Sequence, residues 1–84
     1  MLERGRVVIP TAGKERDTRM AVVRQDGDGV WIADGRRRRL AAPKRKNPRH
    51  LRLTPCRLPE EALATDRQLR RALAALETPA EPKP

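Results

Sequence analysis

Residues 18–35 have the sequence TRMAVVRQDGDGVWIADG, and they decide the fold. Two apolar runs rich in β-branched residues, 18–25 and 30–33, flank the turn sequence Asp26-Gly27-Asp28-Gly29. Its glycines reach positive φ without a Cβ penalty, which is what a tight hairpin turn requires. Asp34-Gly35 predicts a second tight turn directly after the second run. The stretch therefore predicts two antiparallel strands and the start of another hairpin.

Three further short segments have the composition of strands. Residues 6–9 form a β-branched run that Pro10 ends, and residues 38–42 form a short run that Pro43 ends. Residues 50–54 alternate apolar and polar side chains, as a half-buried strand does. Short strands joined by tight turns predict a mostly β fold, here a small SH3-like five-stranded barrel.

The sequence changes character after Pro55. The segment Thr65-Asp66-Arg67-Gln68 matches a capping box, in which the Thr and Gln side chains bind free backbone donors at the start of a helix. One amphipathic C-terminal α-helix is predicted over residues 66–77, after a turn at 60–64, and its apolar stripe contains Leu69, Ala72, Leu73 and Leu76. The predicted organisation is a barrel over residues 1–55, a linker and the helix over 56–77, and a disordered, proline-rich tail over 78–84.

The positive charge of the chain is concentrated in one basic segment, residues 36–52. The formal net charge is +9, and this segment contains nine Lys or Arg and no Asp or Glu, while the eleven basic residues elsewhere are balanced by eleven acidic ones. A concentrated basic patch suits polyphosphate binding, because each neutralised phosphate releases condensed counterions. The segment therefore predicts contact with a nucleic acid.

Residues 5–17, GRVVIPTAGKERD, resemble the KOW motif, which has an apolar strand, a Gly-Lys turn with further basic residues, and a second apolar strand. With the PKRK run at 43–46 and the strand beginning at His50, the layout is similar to that of the short KOW-domain RNA-binding proteins of Gram-positive bacteria. Those proteins are similar in turn to small KOW-containing ribosomal proteins of the archaeal and eukaryotic large subunit. The motif usually has glycine where this chain has Asp17, and Asp tolerates a left-handed backbone better than most residues. The resemblance covers roughly residues 2–54 and implies that the turn at Gly13, Lys14 and Arg16 faces RNA.

The expected function is that of a non-enzymatic RNA-binding protein that contacts structured ribosomal RNA, with the large ribosomal subunit as partner. The predicted nucleic-acid-binding residues are Lys14, Arg16, Arg36, Arg37, Arg38, Arg39, Lys44, Arg45, Lys46, Arg49, His50 and Arg52.

Each part of this expectation has an alternative. Lys14, Arg16 and Arg19 could pair with the nearby Glu15 and Asp17. Residues 36–39 could be a mobile solvated turn, and residues 42–47 could be an arm that becomes ordered only on binding. The same charge would serve a double-stranded DNA-binding or nucleoid protein, because phosphates carry no sequence information. A third alternative is a protein-interaction adaptor that uses the helix, with a protein partner at Leu69, Leu73 and Leu76.

The single tryptophan, Trp31, has two interpretations. Strand alternation directs it away from Val30 and Ile32, so it could stack on a base if those two face the core. If they face outward, Trp31 is the largest residue of the core, which is the interpretation that we favour.

Catalysis, a cofactor and a metal site are not expected. The chain contains one His, one Cys and no Ser, so it has neither the partners for a nucleophile nor the ligands for a tetrahedral zinc site. No apolar run approaches the roughly 18 residues of a membrane span, and the N-terminus lacks the apolar stretch of a secretory signal. A cytoplasmic protein without membrane contact is the expectation.

Overall fold

Five antiparallel strands and one C-terminal helix make up the fold in a computed structural model that describes residues 2–77. The strands are β1 (Arg6–Pro10), β2 (Met20–Asp26), β3 (Gly29–Ala33), β4 (Lys44–Lys46) and β5 (Leu51–Arg57). Two 3₁₀ turns (Pro48–His50 and Glu60–Leu63) and the helix α1 (Asp66–Glu77) complete the chain. The predicted tail at 78–84 lies outside the described residues.

The strands form one sheet in the order β4-β3-β2-β1-β5. The mostly β fold with one C-terminal helix is therefore confirmed. Within residues 2–77 the edge strands β4 and β5 do not pair with each other, so the sheet is not closed into a barrel.

Both faces of the sheet carry buried apolar side chains. Alternation along β1 directs Val7 to one face and Val8 to the other. On the Val8 face the buried cluster consists of strand residues, packed with the partly buried Leu2, and the side chains of Val8, Met20, Val22, Val30 and Ile32 are fully buried. Because no helix contributes to this cluster, the sheet must curl to cover it. Irregular pairing between Arg6 and Val8, and between Val22 and Arg24, marks bulges that allow such a bend.

The helix α1 covers the other face. Leu69 and Leu73 are buried in a cluster with Val7, Ala21 and Ala33, and Leu76 packs against the same cluster. The predicted capping residue is also in place, because the backbone N–H of Gln68 donates to Thr65 Oγ1 at 3.1 Å. The helix was predicted with its observed limits. Its leucine stripe packs on its own sheet, which leaves Leu69 and Leu73 without an exposed face for a partner.

The predicted fourth strand at 38–42 is wrong. The backbone N–H groups of Asp34 and Gly35 both donate to the carbonyl of Arg38, and that of Leu40 donates to Asp66 Oδ1 at 2.7 Å. These bonds hold a loop whose backbone groups bond within the loop and to α1 instead of to a neighbouring strand. The fourth strand instead spans Lys44–Lys46 and pairs with β3, so the hypothesis of an arm at 42–47 is wrong as well.

The last strand is longer than the sequence predicted. It continues through Pro55 to Arg57, because β5 is an edge strand, where a missing N–H costs no ladder bond. The β-domain therefore ends at Arg57, two residues after the predicted boundary at residue 55.

Candidate nucleic-acid interface

The turn between β1 and β2 is held by its own backbone. Asp17 N–H donates to the carbonyl of Pro10 at 2.9 Å, and Arg16 N–H donates to that of Gly13 at 3.2 Å. Gly13 has a φ of +89° and Asp17 a φ of +67°, so both adopt the left-handed region. The expectation that Asp17 takes a glycine-like conformation is confirmed. Lys14 and Arg16 are exposed on this turn.

Glu15 is the buried residue of the same turn, and it pairs with Arg38. Arg38 Nε donates to Glu15 Oε2 at 2.8 Å, and the two side chains are 34% and 5% exposed, respectively. This hydrogen bond lowers the pKa of the Glu15 carboxyl, and it outweighs the opposite effect of burial. Arg38, one of the predicted nucleic-acid-binding residues, is therefore paired with Glu15, and this pair links the turn to the basic segment.

Two other parts of the basic segment reach the same turn. Lys46 Nζ, from β4, donates to the carbonyl of Ala12 at 3.2 Å, and the carbonyl of His50 accepts from Thr11 N–H at 2.9 Å. Asn47 caps the Pro48–His50 turn through a bond from Arg49 N–H at 2.9 Å, which fixes the backbone at Arg49. The fold thus assembles one basic surface, named here the turn surface, from Lys14, Arg16, Lys46, Arg49 and His50.

The backbone of the arginine loop, residues 36–39, is held by hydrogen bonds and by contact with α1. Asp34 Oδ1 accepts from the backbone N–H groups of Arg36 and Arg38 at 2.9 and 3.0 Å. Gly35 has a φ of +80° and lies so close to α1 that a Cβ there would collide with the carbonyl of Asp66. These contacts fix the backbone, while the side chains of Arg36, Arg37 and Arg39 are exposed.

Strand β4 directs its basic side chains to both faces of the sheet. Lys44 and Lys46 pair with Ile32 and Val30, whereas Arg45 pairs with Trp31. Alternation therefore directs Arg45 to the face opposite Lys44 and Lys46. On the far edge of the sheet Arg52 is exposed on β5, opposite Ile9. The predicted binding residues are thus not all on one face.

Trp31 lies on the outer side of the core formed by Val30 and Ile32, so its interpretation as the largest core residue is wrong. It is half-buried, and the guanidinium carbon of Arg24 lies 4.9 Å from the ring centroid, within cation–π range. Its indole Nε1 is buried and has no hydrogen-bond partner among the described residues. Arg24, Trp31 and Arg45 occupy paired positions across three neighbouring strands.

The arginines that form ion pairs at the opposite end of the sheet were not predicted to bind nucleic acid. Arg6 pairs with Glu3 at 2.8 Å, Arg4 with Glu60 at 3.0 Å, and Arg57 approaches Glu3 at 3.9 Å. The bond from Arg6 lowers the pKa of Glu3 to about 2. Of these contacts, Arg57–Glu3 joins the segment before β1 to the end of β5, and Arg4–Glu60 joins it to the following 3₁₀ turn. In contrast, among the described side chains the exposed bases of the turn surface and arginine loop meet only one acid within ion-pair distance, Asp17 at 4.0 Å from Arg16.

Two basic residues outside the predicted binding set, Arg19 and Arg70, are brought beside the arginine loop by the fold. Arg19 enters from the start of β2, and Arg70 from α1, where its Nη1 donates to the carbonyl of Gly35 at 3.0 Å. The contact of Arg70 with the arginine loop could not be predicted from the sequence, because the helical pattern shows only that Arg70 is not on the apolar stripe.

Two further properties of residues 2–77 concern metal binding and membrane insertion. No group of three or more His, Cys, Asp or Glu side chains is placed to hold a metal ion in this part of the chain. No helix among the same residues is long and apolar enough to cross a membrane.

Comparison with known proteins gives no assignment: no family model matches the chain, and no curated protein matches it. The function is therefore argued from the geometry of the basic surfaces.

Proposed function

We propose that this chain is a non-enzymatic, cytoplasmic RNA-binding protein whose target is structured RNA, in the first instance ribosomal RNA of the large subunit. The observation that carries the proposal is the convergence of three separate parts of the basic segment on the β1–β2 turn. Lys46 and His50 bond to the backbone of that turn, and Arg38 bonds to Glu15 within it. Lys14 and Arg49 carry charges that no described acidic side chain neutralises.

The mechanism of the proposal is phosphate neutralisation by a preorganised surface. Because the backbones of the turn and of the arginine loop are fixed by internal hydrogen bonds, little order has to be gained when the side chains contact phosphates. Phosphate contacts fix position and orientation on a nucleic acid, and the shape of the surface then selects the structure that fits it. A chain with one aromatic residue has no row of rings on which successive single-stranded bases could stack, so folded RNA is the better target.

The proposal extends to the fold class. The strand order, the basic turn after β1 and the left-handed Asp17 support an SH3-like barrel of the KOW type, the class that the sequence resembles. The two edge strands β4 and β5 are consecutive in the chain and are joined by the short connection through Pro48–His50.

Sedimentation of a cell lysate in a sucrose gradient tests the RNA proposal. The test variant combines Lys14→Glu with Arg49→Glu on the turn surface. The matched control combines Arg67→Glu with Arg71→Glu, two exposed residues of α1, and changes the net charge by the same amount. We expect the wild type and the control to migrate with the large ribosomal subunit at low salt, and the test variant to stay at the top.

Raised salt should release the wild type from the subunit, because exposed phosphate contacts are screened. If the wild type stays at the top of the gradient even at low salt, the ribosomal target is wrong. If both double variants lose migration equally, net charge and not the turn surface is responsible.

A further inference from the structure

A cleft opens between the arginine loop, the start of β2 and the helix α1. Its volume is about 480 Å³, and the residues that line it include four arginines, Arg19, Arg36, Arg37 and Arg70, together with Asp34 and Leu73. This arginine cleft is separate from the turn surface, and two of its four arginines lie outside the basic segment.

The cleft has an excess of unpaired positive charge. None of its four arginines lies within ion-pair distance of a described acidic side chain. Its one carboxylate, Asp34, is buried and accepts two backbone N–H groups, from Arg36 and Arg38. Asp34 makes no ion pair with these arginines, and its one negative charge offsets at most one of their four positive charges, so the cleft keeps an excess of positive charge.

Arg70 is positioned in advance for an anion. Its aliphatic stem packs over Gly35, and its Nη1 donates to the carbonyl of that glycine at 3.0 Å. A guanidinium has five N–H donors, and one bond to a carbonyl leaves the others available. Gly35 itself is required for this approach, because a side chain there would meet both Arg70 and the backbone of α1.

We propose that the arginine cleft binds a phosphate group. Four like charges around one cleft repel one another, and an anion that accepts from several of them removes the repulsion. A phosphate presents several oxygens in a tetrahedral arrangement, which suits donors that converge from three elements, and guanidinium groups bind it in a bidentate manner.

The phosphate has two chemical sources, an RNA chain or a small phosphorylated molecule. The inference goes beyond the proposed function because it assigns a discrete site to Arg19 and Arg70, which the turn surface does not include. It stands or falls independently of migration with the ribosome, because the probe in the first arm of the test is inorganic pyrophosphate.

The first arm titrates pyrophosphate into the isotope-labelled full chain and follows backbone and arginine side-chain signals by NMR. We expect saturable shifts concentrated at Gly35, Arg36, Arg37 and Arg70. Arg37→Gln should weaken binding about tenfold, as expected for the loss of a charge-assisted hydrogen bond. Arg67→Gln, on the same helix but outside the cleft, should leave the affinity unchanged.

Arg37 is chosen because it is exposed and makes no hydrogen bond within the described chain, so its replacement leaves the fold intact. Shifts that spread over all basic surfaces without saturation, or equal losses in Arg37→Gln and Arg67→Gln, would overturn the proposal.

The second arm repeats the titration with a structured RNA in place of pyrophosphate. If the RNA shifts the same signals and pyrophosphate competes with it, the phosphate comes from RNA. If pyrophosphate still binds to the RNA complex at full affinity, the site takes a small phosphorylated molecule. Both results support a phosphate site, whereas a cleft that is silent to pyrophosphate and RNA alike contradicts it.

Discussion

Replacing Arg38 with Met tests whether the Glu15–Arg38 pair holds the basic segment on the β1–β2 turn. The substitution keeps much of the aliphatic length but leaves the Glu15 carboxylate buried without its partner. Exposed ion pairs contribute up to about 1 kcal/mol, and breaking a buried pair costs about 3–5 kcal/mol. Because Glu15 is 5% exposed but Arg38 is 34% exposed, we discount the buried value for solvent and expect a loss of about 2 kcal/mol.

The pH dependence of this loss follows from the pKa of Glu15. The pair lowers that pKa below the ordinary value of 4.5, so its contribution is fully present above about pH 4.5 and is lost as the pH falls through the folded-state pKa. In Arg38→Met the hydrogen bond that lowers the pKa of Glu15 is lost, so this pKa is higher than in the wild type, and protonation then relieves the variant. The difference in unfolding free energy between wild type and variant should therefore narrow below pH 4.5.

The assay is urea denaturation followed by the fluorescence of Trp31, the single tryptophan, and by circular dichroism. For a chain of this size, 2 kcal/mol corresponds to a fall of about 8–16 °C in Tm. Arg37→Met is the matched control, because Arg37 is exposed and unpaired, and it should stay within about 0.5 kcal/mol of the wild type. Adding Glu15→Gln to Arg38→Met should recover part of the loss. Equal small effects of Arg37→Met and Arg38→Met on the free energy of unfolding, with no dependence on pH, would show that the Glu15–Arg38 pair does not hold the basic segment on the turn.

Three further substitutions test how the helix and the arginine loop are held, each by the same denaturation assay. Gly35→Ala should cost more than about 2 kcal/mol, because the positive φ is strained for Ala and the new Cβ meets the carbonyl of Asp66; a neutral effect would show that the loop is not pressed against α1. Thr65→Ala should cost about 1 kcal/mol by removing the acceptor of Gln68 N–H, and Thr65→Ser should restore it. Leu69→Ala should cost about 2–5 kcal/mol, because Leu69 is fully buried, and a cost below 1 kcal/mol would contradict its place in the core.

Sequence patterns correctly predicted the elements whose structure depends on residues close together in the chain. The capping residue Thr65 and the spacing of the leucines fixed the limits of α1, since helix termini depend on side chains within a few residues. The DGDG turn fixed the β2–β3 hairpin in the same way. Asp17 adopted the left-handed conformation that the sequence predicted, because its short polar side chain tolerates that backbone.

The errors arose where distant residues decide the structure. Residues 38–42 have the composition of a strand, but Asp66, on a helix far along the chain, binds Leu40 N–H and helps to hold the segment as a loop. The ion pair of Arg38 was not predicted for the same reason: the basic segment contains no acid, and its partner Glu15 comes from another turn. Alternation alone could not assign Trp31 to the core or to the outer face. It places neighbouring residues on opposite faces of the strand but does not indicate which face is covered.

The sequence predicted the clustered basic residues of the candidate site but not how they are arranged in space. Its clustered charge is visible in the sequence, but the contact of Lys46 and His50 with the turn at Gly13 depends on strand order. Arg70 was invisible for the same reason, because only the packing of α1 against Gly35 brings it beside the arginine loop.

The claim that structured RNA is the target is tested by filter binding across a salt series. The wild-type chain is bound to large-subunit ribosomal RNA and to a DNA duplex of matched length. If the turn surface and the arginine loop together contact about six phosphates, affinity for the RNA should fall roughly a thousandfold between about 50 and 200 mM salt. The account predicts that RNA is bound more tightly than DNA at every salt concentration, and that Lys14→Glu with Arg49→Glu flattens the salt dependence. Equal or tighter binding to the DNA duplex, or no binding to RNA at the lowest salt, would contradict it.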